Sequence, residues 1–212
     1  TVQNLIFAIY CLVIFVLLIK FLKNLWQINS EISNNEKLKN GSFWLILKNE
    51  ETSPHSFWKY IFSNKNDYKN GIINEKIILH ETAHLSQKHS LDLIIIELML
   101  IIFWFNPTFY FYKKAILTNH EYLADDLVLN KTKNVSDYQN LLLTQLITEK
   151  ILFSNSFNLI NTKNRIKMMT KTLSKTAKLK SWLSVPLAAI VFFSFAEKIP
   201  AKEKNLKPSN EV

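Results

Sequence analysis

Glycine and cysteine are almost missing from this 212-residue chain, which holds 2 Gly and 1 Cys. Two glycines leave no room for a phosphate-cradling loop or a dinucleotide fingerprint, since both need several positions without a Cβ. One cysteine excludes a disulfide framework and any cysteine-rich zinc finger. Cys11 lies in an apolar run and is expected to be a small buried side chain. Arginine is scarce as well. The net charge is +9, yet Arg165 is the one arginine, and arginine is the residue suited to bidentate reading of phosphates and bases. No direct nucleic-acid partner is therefore expected. The lysines cluster beside apolar segments instead, as they do at a membrane surface.

What the chain has in quantity is apolar sequence, 48% of its residues, which suits one compact domain plus membrane segments. Leu5 to Leu22 is broken only by Lys20 and is long enough to span a bilayer. A signal peptide is the alternative, but no basic region precedes the run and no small-residue cleavage site follows it. Residues 1–23 are therefore expected to form a transmembrane helix. The chain starts at Thr1, without Met, and is expected to be the C-terminal part of a longer protein with earlier membrane helices. Residues 24–41 read as a linker or short helix. Phe43 to Lys48 reads as a strand, flanked by Gly41-Ser42 and Asn49-Glu50.

The strongest signal is His80-Glu81-Thr82-Ala83-His84, with Glu121-Tyr122-Leu123-Ala124-Asp125 downstream. Two His four apart on a helix share one face, so both imidazoles can reach one metal ion, with Glu81 beside them to work on a water. Ile72, Ile73, Ile77, Ile78 and Leu79 lead into the motif. A mostly buried helix does not keep two His and a Glu without partners. Three protein ligands with one open position define a catalytic zinc site. The expected metal ligands are His80, His84 and Glu121, with one Zn2+ per chain and Glu81 as general base.

Spacing brings the two motifs together. Ser86 to Ser90 is expected to break the helix, with Ser90 as the next N-cap. Leu91 to Phe105 reads as a very apolar helix, and Asn106-Pro107 as a stop followed by a start. A third helix runs towards Leu129. Ser90 to Asn106 is about 24 Å of helix and Asn106 to Glu121 about 22 Å, so the hairpin 91–129 returns Glu121 to the level of His84. Asp125, one turn beyond, is placed to accept the spare N–H of a ligand His. The hairpin is short for a span and carries Asp92 and Glu97. A hairpin buried in the domain or dipping into one leaflet is preferred over one that crosses. Glu97 is expected to be a buried polar contact without a catalytic role.

Val135 to Phe157 reads as an amphipathic helix capped by Ser136. Residues 181–197 form a marginal second membrane span containing Pro186, and 198–212 a charged, disordered tail. Lys20 and Lys23 after the first span, with Lys175, Lys178 and Lys180 before the second, place the domain between them in the cytoplasm, on the inner face of a bacterial inner membrane. Lys198, Lys202, Lys204 and Lys207 argue the other way.

The order His-Glu-x-x-His, Trp104-Phe105-Asn106-Pro107, then Glu-x-x-Ala-Asp resembles the BlaR/MecR-type membrane metallopeptidases, which are gluzincins with Glu as third ligand. Ser53-Pro54, Ser56-Phe57-Trp58 and Tyr60-Ile61-Phe62 resemble that family's upstream segment. Gln87 to Asp92 and Asn164 to Met169 resemble its Bacteroidetes-like versions. The resemblance covers about Ser42 to Pro186. It implies a mainly α fold with a small β-sheet (α+β), and a gluzincin-like zinc peptidase domain over 24–180 flanked by transmembrane helices. His55 departs from the pattern, which has an aromatic residue there, and is not read as a ligand. By the same resemblance the 43–48 strand is either a sheet edge that pairs with an extended substrate or a strand that packs only its own core.

Three functions are compatible with these residues. The first is a regulatory endopeptidase that cleaves a cytoplasmic transcriptional repressor after an external signal. The second is a quality-control protease for membrane proteins. The third is a non-catalytic membrane signalling or scaffold protein, against which the intact site residues count. Expected partners are a protein substrate and membrane lipid. Beta-lactam sensing gets no support from these residues: such receptors carry an extracellular penicillin-binding domain after the last membrane helix, and this sequence stops within a few residues of its last apolar segment. By residue type, His120, His89 and Arg165 are candidates for stabilising an oxyanion, and His120 is the alternative third ligand.

Overall fold

The N-terminal apolar run forms the first part of a long helix, α1, Val2–Asn34. No residue of α1 is buried against the rest of the protein. Among the described residues it is the one helix long and apolar enough to cross a membrane. It is the transmembrane helix of an otherwise α+β chain, and it continues well past Lys23, so 24–34 is helix rather than linker. Cys11 is exposed on it, contrary to the expectation of burial, because a membrane helix has lipid where a soluble helix has a core. The computed structural model describes residues 1–152 and 156–170; the expected second span at 181–197, the tail at 198–212 and the basic stretch after Thr170 lie outside them.

Four strands follow: β1 Glu36–Asn40, β2 Phe43–Lys48, β3 His55–Phe57 and β4 Tyr60–Asn64. Their order in the sheet is β1-β2-β4-β3. Gly41, at φ +55°, lets a two-residue turn join β1 to β2, with Asn40 opposite Phe43. β2 then pairs in parallel with β4, Leu45 opposite Ile61. Phe43 to Lys48 is therefore an interior strand, not a sheet edge, as its unbroken apolar run suits. The edge beside the helices is β3. Leu45, Leu47 and Ile61 form one core cluster, with Leu85 packed on it.

The helices are α2 Lys65–Lys69, α3 Glu75–Ser86, α4 His89–Ile102, α5 Pro107–Thr132, α6 Val135–Leu152 and α7 Ser156–Met169. Asn74 starts α3 by accepting the Lys76 N–H, and Asn106 starts α5 by accepting the Thr108 N–H ahead of Pro107. Between α3 and α4 the chain turns through Lys88 in the left-handed region, φ +57°. Ser90 is not the cap expected there: its hydroxyl accepts the Trp58 N–H from the β3–β4 turn. Ser136 is likewise inside α6, and Asn134 accepts the Asp137 N–H in its place.

α4 and α5 form an antiparallel hairpin, tied by Asp92–His120 near its base and Glu97–Lys113 further out. Glu97 is thus the half-buried polar contact expected of it. A second core cluster, Val128, Tyr138 and Leu142 with Leu79 and Met169 around it, joins α3, α5, α6 and α7 beneath the site.

Candidate metal centre

The i, i+4 spacing on α3 puts His80 and His84 on one face, with their Nε2 atoms 3.1 Å apart. α5, returning from the hairpin, brings Glu121 over them. Its carboxylate oxygens lie 3.5 Å from His80 Nε2 and 3.6 Å from His84 Nε2. One ligand atom from each residue falls within 4.8 Å of the other two. Tetrahedral donors about 2.0–2.1 Å from a zinc ion stand roughly 3.3 Å from one another, so the imidazole pair is already at ligand spacing and the carboxylate is a small rotation from it. The donor set of two imidazoles and one carboxylate fits a catalytic zinc site. His55 is outside the donor group: it is exposed, with Nδ1 3.0 Å from the Ser53 carbonyl and its ring stacked on Phe62.

Glu81, also buried, accepts a hydrogen bond from the Ser56 hydroxyl of β3, and burial pushes its carboxyl above the ordinary range despite the nearby His80 charge. The same residues line a cleft of about 510 Å³ with Pro54 to Phe57 of β3 along one wall. Of the two readings left open for Phe43 to Lys48, the strand that packs in its own core is the one observed, and the strand that lines the cleft is β3.

Behind the donors lies a dense polar network. His80 Nδ1 stands 3.3 Å from Asp125 and 3.0 Å from the Tyr138 hydroxyl, which itself donates to Asp125 at 2.8 Å. Arg165 of α7 donates from Nε and Nη2 to the two Asp125 oxygens at 2.8 and 2.6 Å. Its Nη1 reaches Glu121 at 2.9 Å. Asp125 is wholly buried, and burial alone would raise its carboxyl. The Arg165 and His80 hydrogen bonds outweigh that and hold it low. Burial likewise works against Glu121, yet His80 and Arg165 bring it down to about 2. Burial would lower His80 too; the Asp125 and Glu121 hydrogen bonds overcome it and lift the ring to about 9. Burial and the charge on His80 press His84 down to about 3. The two rings are thus pushed in opposite directions, as like groups in contact are.

Two more histidines continue the network on the other side. His89 Nδ1 is 2.7 Å from His84 Nδ1. The His89 ring stacks on His120 at 3.8 Å, and His120 Nε2 meets Asp92 at 3.0 Å. His89 is therefore a buried partner of His84 at the start of α4. His120 faces Asp92 and lies outside the donor group. Tyr138 carried no sequence signal, because a tyrosine in an amphipathic helix looks like core. Arg165 was noticed as a residue type, and its singularity in a lysine-rich chain was the available clue.

A transmembrane helix joined to a small sheet and a helical pocket of His-Glu-x-x-His plus Glu is the arrangement of the membrane metallopeptidase class. Within that class, residues 70–169, which hold every donor and network residue from His80 to Arg165, match the family described as BlaR1 peptidase M56. The regulatory protein BlaR1 of Staphylococcus aureus is 30% identical over 223 residues, covering 92% of this chain and 37% of that protein. The chain belongs to this BlaR/MecR-type family, and it spans a little over a third of the length of that relative.

Proposed function

We propose that this chain is a membrane-bound zinc endopeptidase with a regulatory role, its pocket facing the cytoplasm, and that its substrate is a protein such as a transcriptional repressor. The observation that carries the reading is the convergence of His80, His84 and Glu121 beside a buried, proton-accepting Glu81. His80, His84 and Glu121 would hold a zinc ion, which when bound would supply Lewis acidity to a peptide carbonyl and to a water. Glu81 would take a proton from the attacking water and pass it to the leaving amine, a role suited to a carboxyl that burial makes more basic. Asp125 and Tyr138 hold His80 at Nδ1, which leaves Nε2 turned towards His84 and Glu121, and His89 does the same for His84. Arg165 holds both acidic side chains in place and neutralises part of their charge. β3 offers its edge to an extended chain laid along the cleft. The name of the Staphylococcus aureus relative as a regulatory protein supports the regulatory role, and the lysines flanking the apolar segments support the cytoplasmic face.

The test is Glu81→Gln in the detergent-purified chain. Cleavage of an added repressor protein from the same genome is expected to fall at least about 1,000-fold, an effect of the size seen when general acid–base catalysis is removed, while bound zinc stays unchanged. Cleavage at the wild-type rate would remove Glu81 from the mechanism.

A further inference from the structure

The α4–α5 hairpin ends in a surface that no part of the described protein covers. Ile95, Ile102, Phe105, Tyr110, Phe111 and Tyr112 are exposed, Phe105 at 61% and Phe111 at 72%. From Leu98 to Tyr112 there is no Asp, Glu, Lys or Arg. A patch of this kind on a water-soluble domain is an aggregation hazard unless something apolar covers it. Its position beside α1 says what does. The Tyr10 hydroxyl, part-way along the apolar run of α1, donates to the Ile102 carbonyl at 2.9 Å, and the Tyr10 ring meets Phe105 edge-on. The opposite end of α1 is tied to the sheet by Glu31–Lys48 at 3.0 Å. α1 and α4 therefore run antiparallel, and the hairpin tip stands level with Tyr10.

We infer that the hairpin is a re-entrant membrane insertion whose tip reaches about the middle of the bilayer, with lipid acyl chains as its partner. Tyr10 to Lys20 is about 15 Å of helix, half of a hydrocarbon core about 30 Å thick. Lys20 and Lys23 mark the boundary of the core on the domain side. The Ile102 carbonyl is one of the last-turn carbonyls left without an intrahelical partner, and Tyr10 satisfies it where water is absent. Glu97 and Lys113, the charged pair nearest the tip, face each other at 2.5 Å and so enter the leaflet neutralised. The functional consequence follows from length. Glu121 is about 22 Å along α5 from Asn106, so the donor group lies just outside the hydrocarbon, within the headgroup layer. A substrate must present its cleavage site within a few ångströms of the membrane surface to reach it.

The experiment is spin-label depth measurement on the full chain in lipid nanodiscs. Cys11, the single cysteine, is exposed on α1 next to Tyr10 and serves as the native depth standard. In a Cys11→Ala background, Phe105→Cys and Phe111→Cys report on the two arms of the hairpin, and Tyr68→Cys on the exposed α2 reports on the aqueous side. The expected result is oxygen accessibility well above nickel-chelate accessibility at 105 and 111, matching Cys11 in sign and opposite to Tyr68. Nickel access at 105 and 111 with a lipid-exposed Cys11 would overturn the insertion while leaving the membrane anchor intact. Shielding from both reagents would also overturn it, in favour of a protein cover. Nickel access at Cys11 would overturn anchor and insertion together.

Discussion

At Asp125 three partners meet one buried carboxylate: the Arg165 guanidinium, the Tyr138 hydroxyl and His80 Nδ1. Removing the carboxylate leaves all three without the partner they share, and a buried unpaired charge costs more than the pair contributes. Asp125→Ala is expected to weaken zinc binding about 10- to 100-fold, the usual effect of losing a partner of a ligating His. Tyr138→Phe is expected to weaken it less, because Asp125 remains to orient the ring. Competition with a chelating dye measures both, and an unchanged affinity in Asp125→Ala would show that His80 needs no such support. The sequence pointed to Asp125 because it lies one helical turn from Glu121. It did not point to Tyr138 or to the Arg165 contact, since those come from helices whose packing on α5 no local spacing records. His89 was hidden for a related reason: the left-handed turn at Lys88 swings it back onto His84, where a polar stretch looked like an ordinary break.

The elements were legible where a boundary residue marks them. Asn106-Pro107 states the end of one helix and the start of the next, and the structure has α4 ending at Ile102 and α5 starting at Pro107. Caps built on serine were misplaced at both Ser90 and Ser136, because a neighbouring lysine turn and Asn134 take those positions. Phe43 to Lys48 was readable as a strand, with its place at the edge or in the core of the sheet left open. Its neighbour β4 arrives from beyond β3, and parallel pairing of that kind leaves no mark on either strand alone. The position of β2 has a mechanical consequence. Leu45 is 1% exposed in the sheet core, so Leu45→Ala is expected to cost about 2–5 kcal/mol. Leu38→Ala, on the edge strand β1 and only partly buried, is expected to cost less. Thermal unfolding of the two variants in the same detergent compares them, and equal losses would contradict an interior β2.

Over the whole molecule, a membrane anchor, a sheet edge and a three-residue donor group lie on one chain within 121 residues of its first residue. The transmembrane helix could be read from composition, since an 18-residue apolar run has few other uses, whereas the α+β class came with the resemblance carried by the two site motifs. The alignment of α1 with the hairpin could not be read from either, because it depends on contacts between residues 92 positions apart. The central claim is that His80, His84 and Glu121 bind one zinc ion. The most direct measurement is zinc content by elemental analysis of detergent-purified protein, wild type beside Glu121→Ala. About one zinc per chain in the wild type, lost in the variant, is the predicted result. Zinc that survives the substitution would contradict Glu121 as third ligand, and wild-type protein that takes up no zinc would contradict the site itself.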